Sequence, residues 1–187
     1  MENKNEYIAI DPSEYYVFHP RPAYLIVTKI DENRYNVMAV SWAMPISSEP
    51  PLLAIAIGKE SYTHEILSRN GELTVNIVGE EHANLVYKAG TLSGKKLDKW
   101  KVLGLVPVPS EKVSVPGIKG AYGIVECKVR SKIDAGECSL FICDILAIKV
   151  LANTYTKYGW NLRKAKILLH QSGRAFVLPG KIIFAER

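Results

Sequence analysis

Between Ser41 and Thr63 the chain gathers hydroxyl groups and one cation: Ser41, Ser47, Ser48, Lys59, Ser61 and Thr63. Ser61 and Thr63 open the run Thr63–Asn70, which reads as a short helix ended by Gly71. A helix start offers free backbone N–H groups, the positive end of the dipole and, here, hydroxyl donors. That is a ready seat for an anion such as a phosphate. Ser61 also suits plain helix capping, and on the residues alone the cap is the simpler reading.

No other chemistry stands out. His19, His64, His82 and His170 are far apart and lack ligand spacing, so no metal site and no catalytic side chain is expected. His64 at a helix start and His170 before the turn Gln171–Arg174 can each approach a bound redox group, although a lone His is more often structural. The 3 Cys, Cys127, Cys138 and Cys143, lie in or beside apolar stretches without CxxC spacing and read as small hydrophobes of a reducing compartment. Gly117-x-x-Gly120-x-x-Gly123 has the wrong spacing for a dinucleotide fingerprint, and the Gly90–Lys96 region fails as a phosphate-binding loop.

The elements that must position these residues are mostly strands. Val125, Cys127, Val129 and Ile133 alternate with Glu126, Lys128, Arg130 and Lys132, giving a strand with a dry and a wet face. Asp134–Glu137 is a hairpin turn. Ser139–Leu151 is apolar on both faces, which suits a central barrel strand or a strand at a subunit interface. Upstream, Tyr24–Ile30 and Tyr35–Val40 form a hairpin around Asp31–Arg34. A loop with Pro45, Pro50 and Pro51 leads to the strand Leu52–Ile57, and Leu73–Val78 is another strand. Glu80–Ala89 is a second helix with Gly90 after its end, and Asp98–Leu103 a third stopped by Gly104. Many strands, short turns and two or three short helices predict a mainly β protein with a closed or split β-barrel.

The 187 residues suit a single domain, residues 1–187, in which residues 153–187 dock on the barrel. In that segment Tyr155, Tyr158, Trp160, Arg163, Lys164 and Lys166 mix aromatic and basic character. Docking is the plainer reading, and a lid over a ligand is the alternative. The net charge of +5 is spread along the chain, so a solvated surface is the default reading and anionic cofactor binding the next. A basic barrel that binds nucleic acid is kept as a reading from another class. The start of the chain lacks the pattern of a signal peptide, and no apolar run approaches the ~20 residues of a membrane span. A cytoplasmic protein without membrane attachment is expected.

Several segments together resemble a known family. These are Arg21-Pro22-Ala23 and Val27-Thr28; Asn36-Val-Met-Ala39-Val-Ser41; Pro50-Pro51-Leu52; Ser61-Tyr62-Thr63-His64-Glu65-Ile66; Glu72-Leu-Thr-Val-Asn76; and Ser93-Gly94 followed by Asp98-Lys99-Trp100. In order and spacing they are similar to the flavin reductase-like, FMN-binding split-barrel family, in its flavoredoxin and ferric-reductase-like branch, over about residues 18–150. Leu73 stands where the family usually has Phe, and Trp42 in the flavin loop is less usual. The resemblance implies a homodimeric split barrel that binds FMN. Met38, Ala39, Val40, Ser41 and Trp42 would lie along the isoalloxazine, and Ser47 or Ser48 near the ribityl chain or phosphate. Lys59, Ser61 and Thr63 would hold the phosphate, and Asn76, Ser93 and Gly94 would complete the pocket. It further implies an oxidoreductase that takes electrons from NADH or NADPH and passes them through the flavin to a flavin, a ferric complex or a redox protein partner. A flavin electron carrier with poor nicotinamide turnover is the alternative. Such chemistry needs no protein nucleophile, because the cofactor supplies the reactivity.

Overall fold

The computed structural model describes residues 7–186. Its centre is a seven-stranded antiparallel sheet. In chain order the strands are β1 (Tyr24–Asp31), β2 (Arg34–Val40), β3 (Ala43–Ser48), β4 (Pro51–Gly58), β5 (Glu72–Ile77), β6 (Gly123–Ala135) and β7 (Cys138–Val150). They lie side by side in the order β2-β1-β5-β6-β7-β4-β3. The two edges, β2 and β3, are neighbours in sequence, joined by Ser41 and Trp42 alone. Laid flat, seven strands put their edges about 29 Å apart. Two linking residues reach at most about 11 Å. The sheet must therefore roll until its edges approach, and β2 and β3 do not pair, which leaves the barrel split. This is the mainly β, split-barrel fold expected from the sequence.

β1 is apolar on both faces because both are covered. Ile26 points into the barrel with Leu53, Ile55, Leu73, Cys127, Phe141 and Cys143. Leu25 and Val27 face an outer layer of Val86, Ala89, Val115, Ile118 and Leu168. That layer is built by α2 (Ala83–Thr91), by the segment before β6 and by the C-terminal part of the chain. There Leu169–Ser172 pairs with Ala175–Val177 and with Arg21–Pro22. Helix α1 (Tyr62–Asn70) has both of its predicted stops. The Ser61 side chain accepts from His64 N at 3.1 Å, and Gly71 at φ +67° donates back to Leu67 O at 3.0 Å.

Four local expectations change. The proline-bearing loop after Trp42 is the edge strand β3: Pro45 has no ladder donor, and a register shift between Pro45 and Ser47 absorbs it at the sheet margin. The helix expected over Glu80–Ala89 is a 3₁₀ turn, Glu80–His82, followed by α2, which continues through Gly90 to Thr91. Gly90 lies where Ala39 packs against the helix. Glu126 is not on a wet face but fully buried, because residues 109–115 fold over it and supply its donors. Ile133 is exposed instead, since β5 pairs with β6 only as far as Lys128 and the rest of β6 is a free edge beside β7.

Candidate functional site

The split is lined by a strand edge with free backbone groups. In an antiparallel strand alternate residues turn their N–H and C=O away from the partner. Val37 O accepts from the buried Lys99 Nζ at 2.7 Å, so Val37 faces the gap. By the same alternation Tyr35 and Ala39 face it too. The Lys99 ammonium also donates to Ala89 O near the end of α2, at 2.7 Å. Burial pushes the Lys99 pKa down to about 8.

At the end of β2 opens a cavity of about 460 Å³. Ala39, Val40 and Ser41 form one wall, Tyr87, Gly90 and Thr91 of α2 another. Tyr16, His170 and Phe176 close the top. His170 sits edge-on to His19 with ring centroids 5.3 Å apart, and the Trp42 ring beside the cavity meets Tyr15 edge-on at 5.2 Å. Predominantly apolar, roomy and edged by backbone donors and acceptors, the slot suits a planar ring system.

At the other end of β2 lies a cavity of about 250 Å³, lined by Arg34, Tyr35, Asn36, Tyr62 and residues 94–99. Four strand steps of about 3.3 Å separate Asn36 from Val40, or about 13 Å. Asn36 Nδ2 donates to Thr63 Oγ1 at 2.9 Å, and both side chains are buried. Asn36 Oδ1 has no partner among the described residues. A side chain on Gly94 would collide with that oxygen and with Tyr62. The segment after α2 therefore crosses the split close against the start of α1.

The start of α1 carries a polar chain of its own. Lys59 Nζ lies 3.7 Å from Asp134, and Ser139 Oγ donates to Asp134 at 3.0 Å. His64 Nε2 lies 3.0 Å from the same hydroxyl. Burial, and then Lys132 and Lys59, hold the His64 pKa below its usual value against the pull of Asp134. His64 is therefore neutral near neutral pH, and Lys59 is the exposed cation beside the helix N-terminus.

Most residues singled out from the sequence converge on this edge. Met38, Ala39, Val40, Ser41 and Trp42 form the end of β2 and the link to β3. Lys59, Ser61 and Thr63 stand at the start of α1, and Ser93 and Gly94 on the segment facing it. Ser47 and Ser48 lie apart, opposite Leu52 and Pro51. That is the far end of β4 from Gly58, about 20 Å along the strand. Asn76 is fully buried and committed to the fold: its amide donates to Leu25 O and Thr74 Oγ1 and accepts from Ile118 N. The residues missed from the sequence are Asn36, Lys99, Tyr16, Tyr87, Thr91 and Phe176. Asn36 and Lys99 stand in segments that carried the family resemblance, and the dense aromatic run Tyr15-Tyr16-Val17-Phe18-His19 carried a local signal of a packed cap.

Comparison with known proteins matches the same span. The model of the flavin reductase like domain fits residues 16–177. An uncharacterized protein of Archaeoglobus fulgidus is 40% identical over 130 residues, covering 70% of this chain and 72% of its own. Flavoredoxin of Desulfovibrio vulgaris superposes with a TM-score of 0.83 at 26% identity, covering 97% of this chain and 96% of that one. An FMN-binding protein of Thermus thermophilus has the same fold, with a TM-score of 0.83 at 22% identity over 97% and 99% of the two chains. On the match to residues 16–177, the chain belongs to the flavin reductase like family.

Proposed function

We propose that the protein is an FMN-binding oxidoreductase. Electrons pass from NADH or NADPH through the bound flavin to a flavin, a ferric complex or a protein acceptor. The observation that carries this reading is the pair of sites on one strand edge. A ring-sized cavity opens at Ala39–Ser41, and an anion-attracting helix start with Lys59 and Ser61 stands by the other end of β2. A ligand with a flat ring at one end and a phosphate at the other matches that spacing.

The residues present fit the group. Outward-facing backbone at Ala39 and the link Ser41–Trp42 would meet the polar edge of the ring. Tyr87 and Phe176 would cover its apolar part. Lys59, the N–H groups at the start of α1 and Ser61 would hold the phosphate, with Thr63 and Gly94 shaping the floor. A bound flavin supplies hydride acceptance and onward electron transfer. The chain's part is to place the ring, exclude water with Tyr16, Phe176 and His170, and keep His64 neutral beside Lys59. Within this reading residues 1–187 work as one domain, and residues 153–187 form the docking segment.

Two further features belong to the proposal. The outer face of β7 carries Leu146, Ile148 and Val150, and the edge strand β3 carries Met44 and Ile46, all exposed. These apolar residues suit a homodimer interface. No helix among the described residues is long and apolar enough to cross a membrane. The cytoplasm is the compartment we assign.

The test is an absorbance spectrum after adding excess FMN and desalting, followed by NADH or NADPH under anaerobic conditions. Retained flavin bands that bleach with a nicotinamide are the expected result. One observation favours a second reading. Tyr15 packs edge-on against Trp42 and Tyr16 lines the cavity, so the chain's own aromatic rings would compete with a nicotinamide beside the ring site. Bands that persist without bleaching would make the protein a flavin electron carrier. No retained flavin and no turnover of free flavin would end both.

A further inference from the structure

Lys99 is absorbed by neither the barrel nor the ligand groups assigned above. It stands in the first turn of α3 (Lys99–Val102), 5% exposed, with no carboxylate within ion-pair distance among the described residues. Asp98, beside it, caps α3 by accepting from Lys101 N at 3.2 Å and pairs with Lys101 Nζ at 3.4 Å. Burying an ammonium without a counter-charge is costly unless its N–H groups are hydrogen-bonded. A lysine kept there points to what its N–H groups hold. They hold two backbone carbonyls, Val37 O on the edge strand and Ala89 O on α2.

Those carbonyls lie outside the 460 Å³ cavity but on β2 and α2, the two elements whose neighbouring residues wall it. Val37 is two residues before Ala39, and Ala89 is directly before Gly90. The walls come close at Gly90, where a Cβ would just reach van der Waals contact with the Ala39 Cβ at 3.5 Å. β2 is an edge strand with no sheet neighbour on this side. Side-chain packing and the Lys99 bridge are what fix its distance from α2. We propose that Lys99 is a positioning residue for the ring cavity: one ammonium, hydrogen-bonded to both walls, sets the width of the slot into which a planar ligand fits. The ligand half of this inference rests on the flavin reading; the wall-spacing half does not.

The neighbours sharpen the test. The titratable and charged groups lining the adjoining 250 Å³ cavity with Lys99 are Arg34 and Tyr35 from β2, Tyr62 from α1, and Lys95, Lys96 and Asp98 from the segment entering α3. Arg34 is paired with Asp31 and Lys95 with Glu65. From α2, Lys99 meets the Ala89 carbonyl near the helix end, with Lys88 in the last turn. An ammonium has three N–H groups and a neutral amine keeps two, enough for both carbonyls. A spacing role thus survives deprotonation near pH 8, whereas a role as the ligand's counter-charge does not.

The experiment compares the wild type with Lys99→Met in two readouts. Without ligand, amide hydrogen exchange is followed at residues 37–42 and 89–92. The variant is expected to exchange at least ~10-fold faster there, with strands β5 and β6 unchanged. With ligand, FMN and riboflavin are titrated well below the melting temperature, where a variant that has merely lost stability still binds normally. Both affinities should drop by a similar factor, at least ~10-fold. Wild-type affinity should stay level from pH 7 to 9. Unchanged exchange at both walls overturns the proposal. A loss confined to FMN reassigns Lys99 to the phosphate and also overturns it. If the wild type takes up neither flavin, the flavin reading fails, and the exchange data still decide the spacing role.

Discussion

A methyl group on Gly94 would land on Asn36 Oδ1 and against Tyr62. The backbone at Gly94 is not left-handed, so its need for glycine is purely spatial. Gly94→Ala should displace Asn36 or the segment itself, lowering stability by about 1–3 kcal/mol and weakening flavin uptake, as read by thermal melting and titration. Normal uptake in a variant of normal stability would mean that the segment gives way freely. Glu126 makes the opposite kind of demand. Burial alone would push its pKa up, but the N–H groups of Lys112 and Glu111 and the Lys149 ammonium outweigh that and hold it below the usual carboxylate range. A lowered folded pKa contributes stability above the unfolded value that is lost as pH falls through the folded one. Glu126→Gln should therefore cost about 1–3 kcal/mol at neutral pH and flatten the acid limb of a melting-temperature profile. An unaltered acid limb would show that other carboxylates set it.

At the scale of elements, the start of α1 serves fold and ligand together. Ser61→Ala removes the cap and should cost about 1 kcal/mol in stability. If the same end seats a phosphate, Ser61→Ala and Lys59→Ala should weaken FMN more than riboflavin, which lacks the phosphate. Equal losses for both flavins would move the phosphate elsewhere. The elements also show how far sequence reading reached. The β1–β2 hairpin, α1 with both stops, and the β6–β7 hairpin around Gly136 were legible because their signals are local: alternation, a capping serine, turn glycines. β3 was not, because Pro45 reads as a loop until the strand is known to be an edge. Glu126 was not, because the segment that buries it joins it only through tertiary contacts.

For the whole molecule the sheet's roll matters most. It gathers one set of apolar side chains inside, including Cys127 and Cys143 on adjacent strands. Burial, with Asp144 nearby, pushes the Cys143 thiol up to about 12, and burial lifts Cys127 further. The unfolded chain releases these protons in the ordinary thiol range while the folded chain keeps them. Stability should thus fall as pH rises above about 9. Replacing both by Ala should soften that fall in alkaline melting curves, whereas an unchanged slope would assign it to other groups. On the outside, Ile148→Glu should convert the proposed dimer to a monomer in sedimentation analysis with little loss of stability. A wild type that already sediments as a monomer would remove the dimer from the proposal.

By itself the sequence determined most of the local elements, the split-barrel class and the stretch of chain, Met38 to Thr63, on which a ligand site could be built. Periodicity, caps and turn residues are properties of neighbours in the chain, and they survive without knowledge of the fold. Which of those residues meet was decided only when the sheet closed toward itself. Rolling brought the start of β2 beside α1 and its end beside α2, and left Ser47 and Ser48 at the far end of β4. Asn76 was turned into a buried structural amide. Lys99, plain in the sequence, came to hold a strand and a helix together. Long-range pairing sets these placements, and it depends on how edges and faces find partners across the molecule rather than on any local pattern.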